Sequence, residues 1–298
     1  MSKDEGVGVV VLSYNKKDEL LLALKSIYAS DYRNISVVIV DNNSSDGSAD
    51  AVARSHPDTP LIRNPENLGV SRGRNLGWRY ANEHFEFDYV TFIDDDSEVA
   101  IDYFTQMVAV YREHPEVGLV AARSYAAKDS DVLCSVGLSI NLYTGLVHDI
   151  GAGRRDEGQY NSPSYRDACP GFAFSVRRAL FDQLGGFDEH YSPYGWEDAD
   201  FCLRAKNAGY KVCYAPDAIV IHKGTRIGRG PNAVYERSKM KHYSYLLRQH
   251  TNFLQKCTCA VCIPLRGLYV IGKMVSKGHA RVVFSQLRGF FEGLLKPG

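Results

Sequence analysis

The sequence predicts an α/β fold: a mainly parallel central sheet flanked by helices, followed by a helical C-terminal region. Three observations carry this. Over residues 8–122, short apolar runs alternate with segments of helical periodicity, the signature of strand–helix–strand units. Several of the apolar runs are unbroken, as strands covered on both faces require. Polar clusters follow several runs directly, where open α/β sheets place their ligands.

Residues 8–13 read as a buried strand, and 18–30 continue with helical periodicity. Residues 35–40 form a second buried strand, ending in the turn Asp41-Asn42-Asn43-Ser44-Ser45-Asp46-Gly47, which can cap a following helix. A short strand follows at 61–63, a helix at 70–83, a strand at 89–93, a helix at 101–114 and a strand at 117–122. Beyond residue 124 the alternation stops. Residues 132–147 read as strands or a hairpin, 151–164 as a polar loop, 177–184 and 197–208 as helices, and 218–221 as a short strand. Residues 223–232 are rich in Gly and Arg, and the pattern from 233 onward is helical. The expected division is therefore a body over 1–232 and a basic, amphipathic helical region over 233–298.

A chain of 298 residues with 45% hydrophobic content is long enough for one large core, and its composition excludes a disordered chain. The 35 basic and 35 acidic residues sum to zero, which argues against a nucleic-acid partner. The sum conceals a division. Residues 1–222 hold 21 basic against 33 acidic side chains, and residues 223–298 hold 14 against 2. No signal-peptide pattern and no spanning apolar stretch are expected. Seven cysteines, an odd number with apolar neighbours, suit free thiols in a cytoplasmic protein. Cys257, Cys259 and Cys262 are close in sequence, but no second Cys/His cluster partners them, so a helix face is expected there rather than a metal site.

The sharpest chemical signal is Asp94-Asp95-Asp96, directly after an apolar strand. If the strand continues, its period of two places Asp94 and Asp96 on one side and Asp95 on the other. Three adjacent carboxylates repel unless cations or donors compensate them. A divalent cation that also binds phosphate oxygens suits such hard ligands. The competing reading is a solvated acidic turn. In Gly195-Trp196-Glu197-Asp198, which opens a helix, Asp198 shares a face with Phe201, Cys202 and Ala205, whereas Glu197 shares one with Asp200 and Arg204. The helical period thus turns Asp198 toward the body, as a general base would be, and Glu197 toward solvent or a neighbour. The competing reading is an acidic first turn favoured by the helix dipole. Gly69, Gly73 and Gly77 are four apart and allow a helix to approach the sheet closely. This spacing matches neither a dinucleotide fingerprint nor a Walker loop. Arg72 and Arg74 beside them are either anion contacts or surface charges. His222 ends an apolar strand and precedes a basic, Gly-rich loop able to close over a diphosphate.

Taken in order, these residues resemble the family 2 glycosyltransferases, inverting enzymes of the GT-A fold that use nucleotide-sugar donors. The resemblance covers roughly residues 6–230. It rests on Ser13-Tyr14-Asn15, Val40-Asp41-Asn42-Asn43-Ser44-Ser45-Asp46-Gly47, Asn67-Leu68-Gly69, Arg74-Asn75-Leu76-Gly77, Asp94-Asp95-Asp96, Gly185-Gly186-Phe187-Asp188-Glu189, Trp196-Glu197-Asp198 and His222. It implies that Ser13, Tyr14, Asn15 and Asn43 line a nucleotide pocket, that Asp41 accepts a base N–H, and that Arg74 contacts the nucleotide region. Asp94 and Asp95 would lie by the ribose and metal. Asp96, with Asp94 and His222, would bind Mg²⁺ or Mn²⁺. Asp198 would be the catalytic base, with Glu197 as the fallback. Residues 171–174 and Trp196 would shape the sugar and acceptor site. The triplet departs from the commoner family pattern, which leaves the division of labour among Asp94, Asp95 and Asp96 open.

The implied reaction is transfer from a UDP- or dTDP-sugar to a glycan or lipid-linked acceptor in cell-envelope polysaccharide synthesis. Two other classes stand beside it. A non-catalytic carbohydrate- or nucleotide-binding module would need no base. A sugar nucleotidyltransferase would want a Gly-rich N-terminal loop, which residues 7–17 lack. The basic C-terminal helices are expected to lie on the inner face of an anionic membrane, the alternative being packing on the body or an oligomer interface.

Overall fold

The computed structural model describes residues 5–126, 129–224, 232–276 and 279–295. The chain opens with β1 (Val7–Ser13), α1 (Lys17–Tyr28), β2 (Ile35–Asp41), α2 (Ser48–Ser55), β3 (Leu61–Arg63), α3 (Gly69–His84) and β4 (Tyr89–Asp94). It continues with β5 (Ser97–Val99), α4 (Tyr103–Glu113), β6 (Val117–Ala126), β7 (Asp129–Ser135), β8 (Leu138–Asn141), β9 (Leu146–Asp149), β10 (Ser164–Arg166), β11 (Ala173–Arg177) and α5 (Arg178–Leu184). Then come α6 (Glu197–Asn207), β12 (Lys211–His222), α7 (Ala233–His250), α8 (Phe253–Ser276) and α9 (Ala280–Leu295).

The main sheet runs β10-β12-β6-β11-β4-β1-β2-β3, with β5 on β12 and β7 on β6. Strands β3, β2, β1 and β4 are mutually parallel, as the unbroken apolar runs predict. The register pairs Ser13 with Asp41 and Leu12 with Asp94, so three polar strand ends open on one edge. Strand β12 is antiparallel to β5 and sets His222 opposite Ser97, beside the acidic turn.

Residues of β1 alternate between two cores. Val10 and Leu12 pack with Trp78, Phe92 and Phe181 on one sheet face. Val7, Val9 and Val11 pack with Leu20, Leu24 and Phe104 on the other. Each such side chain contributes about 1.5–3 kcal/mol on burial. Helix α3 sits close because two of its glycines permit it. A Cβ on Gly77 would stand 2.4 Å from Val10 Cγ1, and one on Gly73 2.5 Å from Leu12 Cδ1.

Several elements differ from the sequence reading. Strand β11 is antiparallel to both β4 and β6 and fills the middle of the sheet, where only a helix start was expected. The short strand at 218–221 is the end of a twelve-residue β12. Helix α8 runs through Pro264 as one helix. No helix among the described residues is long and apolar enough to cross a membrane.

Helix α7 is bound to the body. Trp196 Nε1–H donates to the Lys239 carbonyl at 2.8 Å, and Tyr245 O–H donates to Asp188 Oδ2 at 3.1 Å. His242 pairs with the Tyr194 carbonyl at 2.9 Å, and His250 with Asp200 at 2.8 Å. Helix α9 lies against α7 with Gly289 over the Arg237 carbonyl and Gly293 over the Lys241 carbonyl, contacts too close for any side chain. Helix α8 holds the β8–β9 turn, where Arg266 donates to the Gly145 carbonyl at 3.2 Å. The outward faces of α8 and α9 leave Phe253, Leu265, Leu268, Phe284, Phe291 and Leu295 exposed.

Candidate active site

Strand β4 ends at Asp94, and Asp95 and Asp96 form a turn rather than continuing the strand. The turn still separates them. Asp95 accepts the Tyr14 amide at 2.8 Å and faces β1. Asp96 faces β12, with its Oδ1 3.3 Å from His222 Nε2. The Lys16 ammonium lies between them, 3.2 Å from Asp95 Oδ1 and 2.5 Å from Asp96 Oδ2. Burial pushes the Asp95 carboxyl up to about 7, against the pull of Lys16 and the Tyr14 amide. Burial also works against ionised Asp96, but His222 and Lys16 outweigh it and hold the carboxyl well below the usual range. Burial disfavours the Lys16 cation, yet Asp95 and Asp96 together raise its pKa.

Asp94, Asp96 and His222 each offer a ligand atom within 4.8 Å of the others, the one such group among the described residues. Asp96 Oδ1 is buried and makes no well-directed hydrogen bond among the described residues. Two hard carboxylates and an imidazole, with one oxygen unspent, fit a divalent ion. His222 is held flat by Phe172, whose ring stacks on it at 4.2 Å. Cys257, Cys259 and Cys262 form no such group. Cys259 Sγ instead contacts the Leu142 carbonyl at 3.2 Å.

Arg74 is not a surface charge, and it lines the cleft with Asp94 and Asp96. Only 2% of it is exposed, and its guanidinium donates to Asp94 Oδ1 at 2.7 Å, Glu197 Oε1 at 3.2 Å and the Gly171 carbonyl at 2.5 Å. It thus joins the end of β4 to the start of α6. Burial opposes its charge, but Asp94 and Glu197 more than restore it. Arg72, by contrast, pairs with Glu189 on the surface at 3.3 Å. Glu197 is not turned to solvent. It is buried on Arg74 and also accepts the Gly195 amide at 2.9 Å. Its burial raises its carboxyl, and Arg74 works the other way.

Asp198 lines a cleft of about 1000 Å³ shared with Asp94, Asp96, His222, Trp196 and the α7 residues Tyr235 and Lys239. Its Oδ1 accepts the Ala199 amide at 2.8 Å. Burial and the neighbouring Glu197 raise its carboxyl to about 7. Gly171 leaves it room, since a Cβ there would stand 2.9 Å from Asp198 Oδ2. Trp196 holds a left-handed φ of 76°, a costly conformation for a bulky residue. Its ring is braced by Tyr243 at 5.4 Å and by the Lys239 ammonium at 5.3 Å.

Ser13, Tyr14, Asn15, Asp41 and Asn43 gather at the ends of β1 and β2, next to Lys16. Asn15 accepts the Ser45 amide at 2.7 Å and its own amide donates to Ser44 Oγ at 3.0 Å, tying the two loops together. Asn15 and Asn43 have φ of 54° and 66°, values that Asn tolerates better than most residues. Ser13 Oγ and Asp41 Oδ1 are buried without a hydrogen-bond partner among the described residues, while the Tyr14 ring is exposed. The basic loop expected to meet a diphosphate falls mostly on 225–231, outside the described residues.

Sequence reasoning passed over Lys16, Tyr235 and Lys239. Lys16 had a local signal, a cation directly after Ser13-Tyr14-Asn15. The others depend on chain segments that meet only in three dimensions.

The glycosyl transferase family 2 model matches residues 8–184, and the model described as the N-terminal domain of galactosyltransferase matches residues 157–242, reaching into α7. The N-acetylglucosaminyl-diphospho-decaprenol L-rhamnosyltransferase of Mycobacterium tuberculosis is 27% identical over 263 residues, covering 82% of this chain and 85% of its own. The mannosyltransferase PcManGT from Pyrobaculum calidifontis, solved with GDP-Man and Mn²⁺, superposes with a TM-score of 0.63 at 18% identity over 99% of this chain and 88% of its own. Staphylococcus aureus TarS 1-349 in complex with UDP-GlcNAc gives 0.57 at 17% identity over 87% and 71%. The sheet order, the strand-end acidic turn and the match over more than half the sequence lead to one conclusion: this chain belongs to glycosyl transferase family 2 and is a glycosyltransferase on the GT-A fold.

Proposed function

We propose that the chain is an inverting, metal-dependent glycosyltransferase. It moves a sugar from a UDP- or dTDP-sugar to a hydroxyl of a glycan or lipid-linked glycan. Residues 1–232 form its catalytic domain, and 233–298 form a region that lines the cleft and faces the membrane. The observation that carries this reading is one cleft holding both a carboxylate with its pKa raised to about 7, Asp198, and the Asp94–Asp96–His222 group. A binding module has no use for such a base, and a raised pKa in a cleft is what general-base work requires. The names of the relatives support the substrate class: one transfers rhamnose to a lipid-linked diphosphate sugar, and two structures hold nucleotide-sugars.

Asp94, Asp96 and His222 would hold Mg²⁺ or Mn²⁺, which when bound supplies positive charge to the leaving diphosphate. The orphaned Asp41 Oδ1 accepts a base N–H, the Tyr14 ring covers the base, and Ser13, Asn15, Asn43 and Asp95 shape the nucleotide side. Arg74 acts from behind, fixing Asp94 and Glu197. Trp196 and residues 171–174 shape the acceptor side. Asp198 takes the proton of the acceptor hydroxyl as that oxygen bonds to the anomeric carbon. The bond from that carbon to the diphosphate oxygen breaks on the opposite face, so the configuration inverts and the nucleoside diphosphate leaves. A panel of UDP- and dTDP-sugars with a lipid-linked acceptor tests this. Sugar transfer with inverted anomeric configuration is expected. Donor binding without transfer would establish a binding module instead, and consumption of added pyrophosphate to give UTP or dTTP and a sugar 1-phosphate a nucleotidyltransferase.

The membrane part of the proposal rests on charge and exposure. The exposed apolar faces of α8 and α9 lie in a segment with 14 basic and 2 acidic residues. Glu292, one of the two, is spent on Arg237 and Arg288. Such a surface matches anionic lipid. Co-sedimentation with anionic vesicles is expected for the wild type and to drop severalfold when Phe284 and Phe291 are changed to Ser. Equal partitioning of the two proteins would refute the membrane role.

A further inference from the structure

Lys16 does not belong to the metal group, yet its ammonium is seated among that group's carboxylates. It contacts Asp96 Oδ2 at 2.5 Å and Asp95 Oδ1 at 3.2 Å, and both acids are almost wholly buried while Lys16 is 40% exposed. A long side chain has thus been drawn from solvent to neutralise charge that the fold concentrates on one turn. Asp96 is also the acid whose other oxygen faces His222. A divalent ion bound by Asp94, Asp96 and His222 would have a unit positive charge within a few ångströms, sharing one of its ligands. Two like charges so close oppose each other by several-fold to more than a hundred-fold in affinity, depending on the solvent between them.

We propose that Lys16 is a resident cation that competes with the divalent ion for Asp96. The metal alone therefore binds weakly. A nucleoside diphosphate changes the balance because it brings enough negative charge for both the metal and the displaced ammonium. Lys16 in this way makes metal and donor bind together rather than separately, a positioning role exercised through the charge of the site. The flexible stem of Lys16, whose side chain is 40% exposed, allows the ammonium to swing away without disturbing the core. This inference rests on the metal-dependent reading above.

The test measures Mn²⁺ binding by the full chain, by calorimetry or by the electron paramagnetic resonance signal of free Mn²⁺, with and without UDP. Lys16→Met keeps the stem and removes the charge; it should melt below the wild type, since Asp95 and Asp96 lose a cation, and Mn²⁺ should restore part of the difference. The variant is expected to bind Mn²⁺ alone about tenfold more tightly, and the gain in Mn²⁺ affinity on adding UDP is expected to shrink. That gain is a coupling free energy, so the same shrinkage must appear in the effect of Mn²⁺ on UDP affinity. Lys16→Arg should behave like the wild type. Unchanged or weaker Mn²⁺ binding by Lys16→Met would overturn the proposal. Asp96→Asn distinguishes the two levels. If it abolishes Mn²⁺ binding while Lys16→Met changes nothing, only the role of Lys16 fails. If neither the wild type nor any variant binds Mn²⁺, with or without UDP, the metal-dependent reading fails and the role of Lys16 with it.

Discussion

Replacing the base should make the protein more stable while it stops the reaction. Asp198 has its carboxyl raised from 3.8 to about 7 by burial and by Glu197. A raised folded-state pKa means that the fold prefers the protonated acid. The associated stability is fully present below 3.8 and is lost as the pH rises through about 7. At pH 8 the folded protein thus carries the whole cost of an ionised Asp198. About three pKa units at 1.36 kcal/mol each set a ceiling of about 4 kcal/mol. Water in the open cleft screens that charge and brings the net effect to roughly 1–2 kcal/mol. Asp198→Asn removes the charge and can still accept the Ala199 amide. At roughly 2–4 °C per kcal/mol, the variant should melt about 2–8 °C above the wild type at pH 8. The gap should shrink by more than half at pH 5, where the folded wild type has taken up its proton. Transfer should fall by at least 10²–10⁴-fold, with nucleotide binding retained. Thermal melts at both pH values, paired with a transfer assay, check this. An Asn variant that melts at or below the wild-type temperature at pH 8, or keeps near-normal turnover, would refute the reasoning.

Two further outcomes follow from the same cluster. Glu197→Gln should keep measurable activity and move the acid limb of the pH–rate profile to lower pH, because the charge that helps raise Asp198 is removed; a limb that stays in place would show that Glu197 does not act on Asp198. Arg74→Met should destabilise the fold by about 3–5 kcal/mol in urea melts, since it leaves Glu197 buried without its cation and Asp94 without its donor; a cost under about 1 kcal/mol would mean that Arg74 does not tie β4 to α6.

The parts of this molecule that could be read from the sequence are those whose cause is local. The apolar runs of β1, β2 and β4 and the polar residues just after them identify parallel strands and their ligand edge within a few residues. Strand β11 was hidden because Ala173–Arg177 is five residues long and abuts a helix with no break. Its place between β4 and β6 is set by partners more than fifty residues away. The helical period leaves Glu197 turned either to solvent or to a neighbour, and only the fold selects the neighbour. At the first turn of α6 it is the buried guanidinium of Arg74, 123 residues earlier. The role of α7 was equally invisible, because basic amphipathic periodicity looks the same on a cleft wall and on a free helix.

The glycine contacts between α9 and α7 also fix a distance. Gly289 and Gly293 let the two backbones touch, so the partition between the cleft and the outer apolar face is thinner than the usual pair of stacked helices. With helices about 10 Å across, a bilayer resting on that outer face would lie within roughly 10–20 Å of the transferred sugar. On the proposed membrane-facing reading the partition would work as a ruler: an acceptor whose hydroxyl stands that far above its lipid would reach Asp198, one anchored closer or farther would not, and a side chain added at Gly289 or Gly293 would change which chain length is extended.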